Sequence, residues 1–149
     1  MIPPNKKNLG LIAVCAGLCA FAAAVHAEEK ASITLNPTAL VRAYELIGEG
    51  RVILDGKGAW SAHRPSRAAE NNFIRLHGFS QYEKWHLGID SRYGEKSKVH
   101  YKFPFGDFSA VHRCGLLAVK ARAHKYGYSD IESAADQLLW EIEINLPKR

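Results

Sequence analysis

Cysteine is nearly missing from this chain. Three occur among 149 residues, and Cys15 and Cys19 fall within the first 27. Cys114 is the only cysteine beyond them, so that portion closes no disulfide on itself. A domain without disulfides is held by its core, and a single thiol in an oxidising compartment is safest buried. Charge of one sign is scarce as well: 20 Lys and Arg stand against 15 Asp and Glu, a net charge of +5. Lys6 and Lys7 supply two of those charges, and no acid lies among residues 1–27, so losing that segment leaves +3. The remaining charge is scattered and forms no basic stripe, which argues against a nucleic-acid partner. Tyr101, Phe103 and Phe105 do interleave with Lys98 and Lys102, but core packing around Pro104 accounts for them equally well. Internal repeats and low-complexity segments are lacking after the first 27 residues.

One long apolar run is present, Leu9 to Val25, rich in alanine. It follows Lys6 and Lys7 and ends at Val25-His26-Ala27, before Glu28, Glu29 and Lys30. That order is the one of a secretory signal peptide cleaved after Ala27. The run is short and weakly hydrophobic for a permanent span. Cys15 and Cys19 follow Val14 and Leu18, where a lipoprotein signal wants a small residue. The expectation is therefore a periplasmic or secreted protein with no stable membrane span after cleavage. Residues 1–27 would be signal, 28–35 a flexible leader, and 36–149 one domain.

Within that domain Asn36-Pro37 predicts a helix start, with Asn as cap and Pro at the first position. Leu40, Tyr44 and Ile47 recur at helical spacing, and Gly48 and Gly50 stop the helix. Val52 to Leu54 is β-prone. Gly56 to Pro65 reads as a loop carrying Trp60 and His63. A second helix is expected over 66–77, with Phe73 and Leu76 inward and Gly78 closing it. Ser80 and Glu83 have capping-box spacing, which predicts a short helix to about Leu87. Gly88 to Lys98 is turn-like, and Val99 to Phe103 extended. The strongest helix is expected over 108–126, capped by Asp107 and ended by Gly127. Its polar strip is Ser109, Arg113, Lys120 and His124; Val111, Cys114, Leu117, Ala118 and Val119 lie in a broad apolar arc. The last helix carries the stripe Ile131, Ala134, Ala135, Leu138, Leu139, Ile142. The fold class is thus mainly α: a small single domain with a C-terminal antiparallel helix hairpin and at most a short strand pair.

Three segments stand out: Trp85-His86-Leu87-Gly88, Tyr101-Lys102-Phe103-Pro104-Phe105-Gly106-Asp107-Phe108, and Val111-His112-Arg113-Cys114-Gly115. With Asp130-Ile131 through Leu138-Leu139, they resemble a family of small bacterial proteins of unassigned function. That pattern is WHLG, YKFPYGDF, VHR-x-G and D-I-x-x-A-A-x-x-L-L. The resemblance spans 72–139, with Phe105 in place of Tyr. It implies a shared fold and carries no activity.

The candidate polar cluster is Glu83, His86, Asp107, His112, Arg113 and Cys114. Glu83 and His86 have Glu-x-x-His spacing, which puts a carboxylate and an imidazole on one helix face. Carboxylate-bridged dimetal sites need a second copy, which is missing, and no pair has His-x-x-x-His spacing. A single metal could take His86, His112 and an acid such as Glu83 or Asp107; the plainer alternative is histidines that pin a loop-rich region. On a continuous helix His112 and Cys114 point about 160° apart, which disfavours a nucleophile pair and makes His112 a buried hydrogen-bonding group. Asp107 reads as a cap rather than an acid catalyst, and Arg113 as a solvated charge or an anion ligand. Trp140 lies opposite its helix's apolar stripe and, with Trp60, is a candidate partner-binding residue. The expected function is a non-catalytic binding or interaction module for an unknown protein or small molecule. The alternative is a small metal-binding protein or enzyme using a Glu/His/Cys cluster. No cofactor is assigned, and catalytic and metal-binding residues stay open.

Overall fold

A computed structural model describes residues 33–145 of the protein. The expected signal peptide and the first part of the expected leader lie outside the described residues. Strand β1 (Ile33–Leu35) opens the fold and is followed by helix α1 (Pro37–Gly48) and strand β2 (Val52–Ile53). Short helix α2 (Trp60–His63), helix α3 (Arg67–His77) and one turn, α4 (Phe79–Tyr82), come next. A 3-10 turn at Glu83–Trp85 leads into β3 (His86–Asp90), and another at Lys98–His100 into β4 (Tyr101–Pro104). Strand β5 (Val111–His112) runs straight into α5 (Arg113–Tyr126), and α6 (Ser129–Asn145) closes the described chain.

The chain is mainly helical, with a C-terminal helix pair as expected. The stripe on α6 is buried at all six positions, and Gly127 ends α5 in the left-handed conformation, φ 70°. Helix α1 packs against α6 and over the Glu83–Trp85 turn. Its start is as predicted: the Asn36 carboxamide oxygen accepts from Thr38 and Ala39 N–H at 3.1 and 3.4 Å, with Pro37 in the first turn. Asn36 is wholly buried, and its Nδ2 donates to the carbonyls of Glu83 and His86 at 3.1 and 2.9 Å. The cap thus also ties the helix to β3. Among the described residues no helix is long and apolar enough to cross a membrane.

Several expectations are corrected. The strand content exceeds one short pair: β1, β3 and β4 form an antiparallel sheet in the order β1-β3-β4, and β2 and β5 pair in parallel. Ile33–Leu35, expected as leader, pairs with β3, Ile33 opposite Asp90 and Leu35 opposite Gly88. The helix expected to reach Leu87 ends earlier, because His86 to Asp90 finds strand partners on both sides. Leu76 is exposed. The largest correction is at 107–112. Asp107 does not cap α5; its Oδ1 accepts from the N–H groups of Ser109 and Ala110 at 2.9 and 2.7 Å, which closes a turn. Phe108 sits at φ 71° in that turn, a cost of order 1–3 kcal/mol that the surroundings must offset. The turn sends the chain back, so that Gly106 bridges Val111 and His112 N–H reaches the Phe105 carbonyl at 3.0 Å. A side chain on Gly106 would strike the Ala110 carbonyl and the Trp85 ring, both at 2.6 Å. Only glycine closes this hairpin.

Candidate metal centre

The parallel pair β2–β5 sets up the site. Val52 stands opposite Val111 and Ile53 opposite His112. Continuing that register two residues brings Asp55 to Cys114, where α5 begins. The Cys114 backbone N–H donates to Asp55 Oδ1 at 2.7 Å. His112 precedes the helix in extended conformation, φ −97°, ψ 123°. Because His112 is extended and α5 starts only at Arg113, the 160° divergence of a continuous helix does not arise, and the His112 ring and the Cys114 thiol both face Asp55. The loop after β2 then returns His63 from α2. Nδ1 of His63 and Nδ1 of His112 each lie 2.6 Å from Asp55 Oδ2, and Cys114 Sγ lies 3.8 Å from His63 Nδ1. One donor atom from each of Asp55, His63, His112 and Cys114 falls within 4.8 Å of the others.

Burial would by itself raise the Asp55 carboxyl. Hydrogen bonds from the Cys114 thiol and backbone N–H, from His112 and from His63 outweigh that and hold it well below the usual carboxylate range. Burial would lower His112, but the carboxylates of Asp55 and Asp107 raise it above its ordinary value. The Cys114 thiol is pushed up to about 12, first by burial and then by its bond to the Asp55 carboxylate and that group's charge. Asp107 Oδ2 lies 3.2 Å from His112 Nε2, but off the line a hydrogen bond needs. This buried Nε2 has no hydrogen-bond partner among the described residues. Trp60 packs beside the cluster, its ring 5.9 Å from that of His112. A side chain on Gly115 would meet the Phe105 carbonyl at 2.8 Å and the Trp60 ring at 3.1 Å, so the start of α5 is pressed against both.

The candidate residues read from the sequence divide into two groups. His112 and Cys114 enter the cluster, with Asp107 at its edge. His86 is a core residue, its Nδ1 2.9 Å from the Tyr82 carbonyl; Glu83 lies in the turn before it, and neither joins the four donors. Arg113 is half-buried and points to another side of α5, where it lines a hollow with Trp140. Trp140 is 64% exposed. Asp55 and His63 are the two members that sequence reasoning missed. No local spacing links them to His112, and the only signal is a β-prone run just before Asp55.

The geometry discriminates between chemistries. A cysteine–histidine–aspartate relay needs the acid on one ring nitrogen of the histidine and the thiol on the other. Here His63 Nδ1 faces both, and the thiol holds its proton. A metal fits the donor set better. One sulfur, two imidazole nitrogens and one carboxylate oxygen suit zinc and its divalent neighbours, and thiolate plus carboxylate neutralise a dication. Tetrahedral donors at about 2.1 Å from an ion lie about 3.4 Å apart, so the 2.6 Å contacts need to open by less than about 1 Å. His63 is 40% exposed at its side chain while those of Asp55 and His112 are nearly covered, which gives an ion a route in. Compared with protein-family models, curated proteins and solved structures, the chain matches none.

Proposed function

We propose that this chain is an exported metal-binding protein whose ligands are Asp55, His63, His112 and Cys114. The observation that carries the reading is the convergence of four chemically suitable donor atoms within 4.8 Å, from two segments that the β2–β5 pairing brings together. The Asp55 carboxylate beside the thiol draws a cation to it; a dication takes the place of the thiol proton, so binding releases a proton and weakens in acid. Asp55 keeps Oδ1 on the Cys114 N–H while Oδ2 ligates, and Asp107 faces the far nitrogen of His112 as an outer partner does around a metal. The signal-like order of residues 1–27 supports export. The binding is non-catalytic in this reading.

Cobalt(II) titrated into the purified protein tests it. A one-to-one endpoint with thiolate-to-cobalt charge-transfer absorption is expected, and zinc displaces the colour. Cys114→Ser abolishes the charge-transfer band and His63→Ala weakens binding, both with the helical circular dichroism retained. Wild-type protein that folds normally yet gives no cobalt–thiolate band overturns the reading.

A further inference from the structure

A second feature stands apart from the metal donors. A groove of about 960 Å3 runs past β4 and α5, a size within the usual range for small-molecule sites, about 300–1,000 Å3. Its walls carry several cations and one carboxylate, Glu70. Lys98 holds that carboxylate at 2.8 Å. Among the described residues Arg64, Arg122 and Lys125 form no ion pair. Arg122 and Lys125 both lie 5.5 Å from the ring centroid of Tyr126, which is half exposed. Phe103 and Tyr128, packed edge to face at 5.7 Å, supply a further apolar part of the wall.

We infer that this groove binds a small organic anion with a planar apolar body and an acidic group such as a carboxylate or sulfonate. The body lies against the Tyr126 ring, and the acid meets Arg122 and Lys125, whose charges no carboxylate offsets. A bare inorganic anion leaves the rings unused. A neutral aromatic leaves uncompensated cations beside it. Both halves of the ligand are therefore needed to match the wall. None of the four metal donors lines the groove, so this binding does not depend on the metal reading.

Naphthalene-1-sulfonate is a suitable probe, titrated calorimetrically into the full chain, with zinc present and with chelator. Saturable one-to-one binding is expected in both conditions, weakening as salt rises. The neutral naphthalene-1-sulfonamide binds at least tenfold more weakly. The double variant Arg122→Gln/Lys125→Gln, at exposed positions, lowers sulfonate affinity at least tenfold, and Tyr126→Ala lowers it too. The matched control Arg67→Gln/Lys96→Gln, outside the groove, leaves it unchanged. Equal binding of sulfonate and sulfonamide overturns the charge argument. Displacement by inorganic sulfate at equal concentration overturns the organic one. An Arg122→Gln/Lys125→Gln protein that binds as wild type removes the groove as the site.

Discussion

His86 and His112 are buried to nearly the same degree, 3% and 7% exposed, yet their charge is tuned in opposite directions. His86 rests against the Tyr82 ring at 4.3 Å and bonds the Tyr82 carbonyl. Desolvation dominates there and lowers it to about 4, so it is neutral at pH 7. Desolvation acts on His112 as well, but two carboxylates face its two nitrogens and reverse the sign. Burial alone therefore does not decide what a core histidine is for. The partners do: a carbonyl makes a structural ring, whereas carboxylates, a second imidazole and a thiol make a donor set. The sharpest way to break this comparison is to delete each ring in turn. His112→Ala is expected to weaken zinc binding by more than ~100-fold, since even outer-shell losses cost about 10–100-fold. His86→Ala leaves zinc affinity within a few-fold but costs about 2–4 kcal/mol through its cavity and the unpaired carbonyl. Zinc competition and urea unfolding on both variants check it; equal zinc losses in both would erase the distinction.

The His86 side can also be disturbed without touching the ring. Asn36 holds the His86 carbonyl and caps α1 with one side chain. Asn36→Ala removes the cap, worth about 0.5–2 kcal/mol, and leaves buried carbonyls unmet, about 1–3 kcal/mol more. The melting temperature should fall by roughly ten degrees or more in a domain of this size, with metal stoichiometry still one. A thermal melt and a zinc titration on the same sample decide it; loss of zinc binding in folded protein would mean that the two regions are coupled.

On the His112 side the finer test is Asp107→Asn. The amide keeps an oxygen for Ser109 and Ala110 and removes the charge beside Nε2. Zinc affinity should drop about tenfold, at the low end for an outer-shell partner, with the melting temperature nearly unchanged in chelator. An unaltered affinity would show that Asp107 closes the turn and does nothing for the metal.

These two regions were unequally legible in the sequence. Asn36-Pro37, Gly48, Gly127 and the α6 stripe are local signals, each read from a few neighbouring residues, and each corresponds to an observed boundary or face. The burial of Cys114, 1% exposed, followed from its apolar surroundings. The turn at 107–110 was illegible for a physical reason. An aspartate accepting from the N–H groups two and three residues on is what a helix cap does and what an Asx turn does. Taken as a cap, Asp107 starts α5 at Phe108 rather than Arg113, and His112 then faces away from Cys114. The site itself was hidden because Asp55 meets Cys114 across 59 residues, through a two-residue parallel pairing that no local pattern announces.

The smallest effect concerns acid. His86 has a folded-state value near 4 against 6.5 for the free group, so between those values the unfolded chain binds more protons. Its contribution to stability is present above pH 6.5 and is lost as pH falls toward 4. His112 runs the other way: its raised value makes its contribution present below pH 6.5 and lost as pH rises through the folded-state value. In chelator, so that no metal is linked to the titration, wild-type protein should lose about 1 kcal/mol through His86 alone between pH 7 and 5.5, from about 1.4 kcal/mol per pKa unit. His86→Phe keeps an apolar ring in the site and removes the titration. Urea unfolding at the two pH values should then show a smaller acid loss in this variant than in wild type, by about that amount. If both proteins lose the same stability, His86 is not the neutral core ring described here, and the contrast with His112 rests on the metal donors alone.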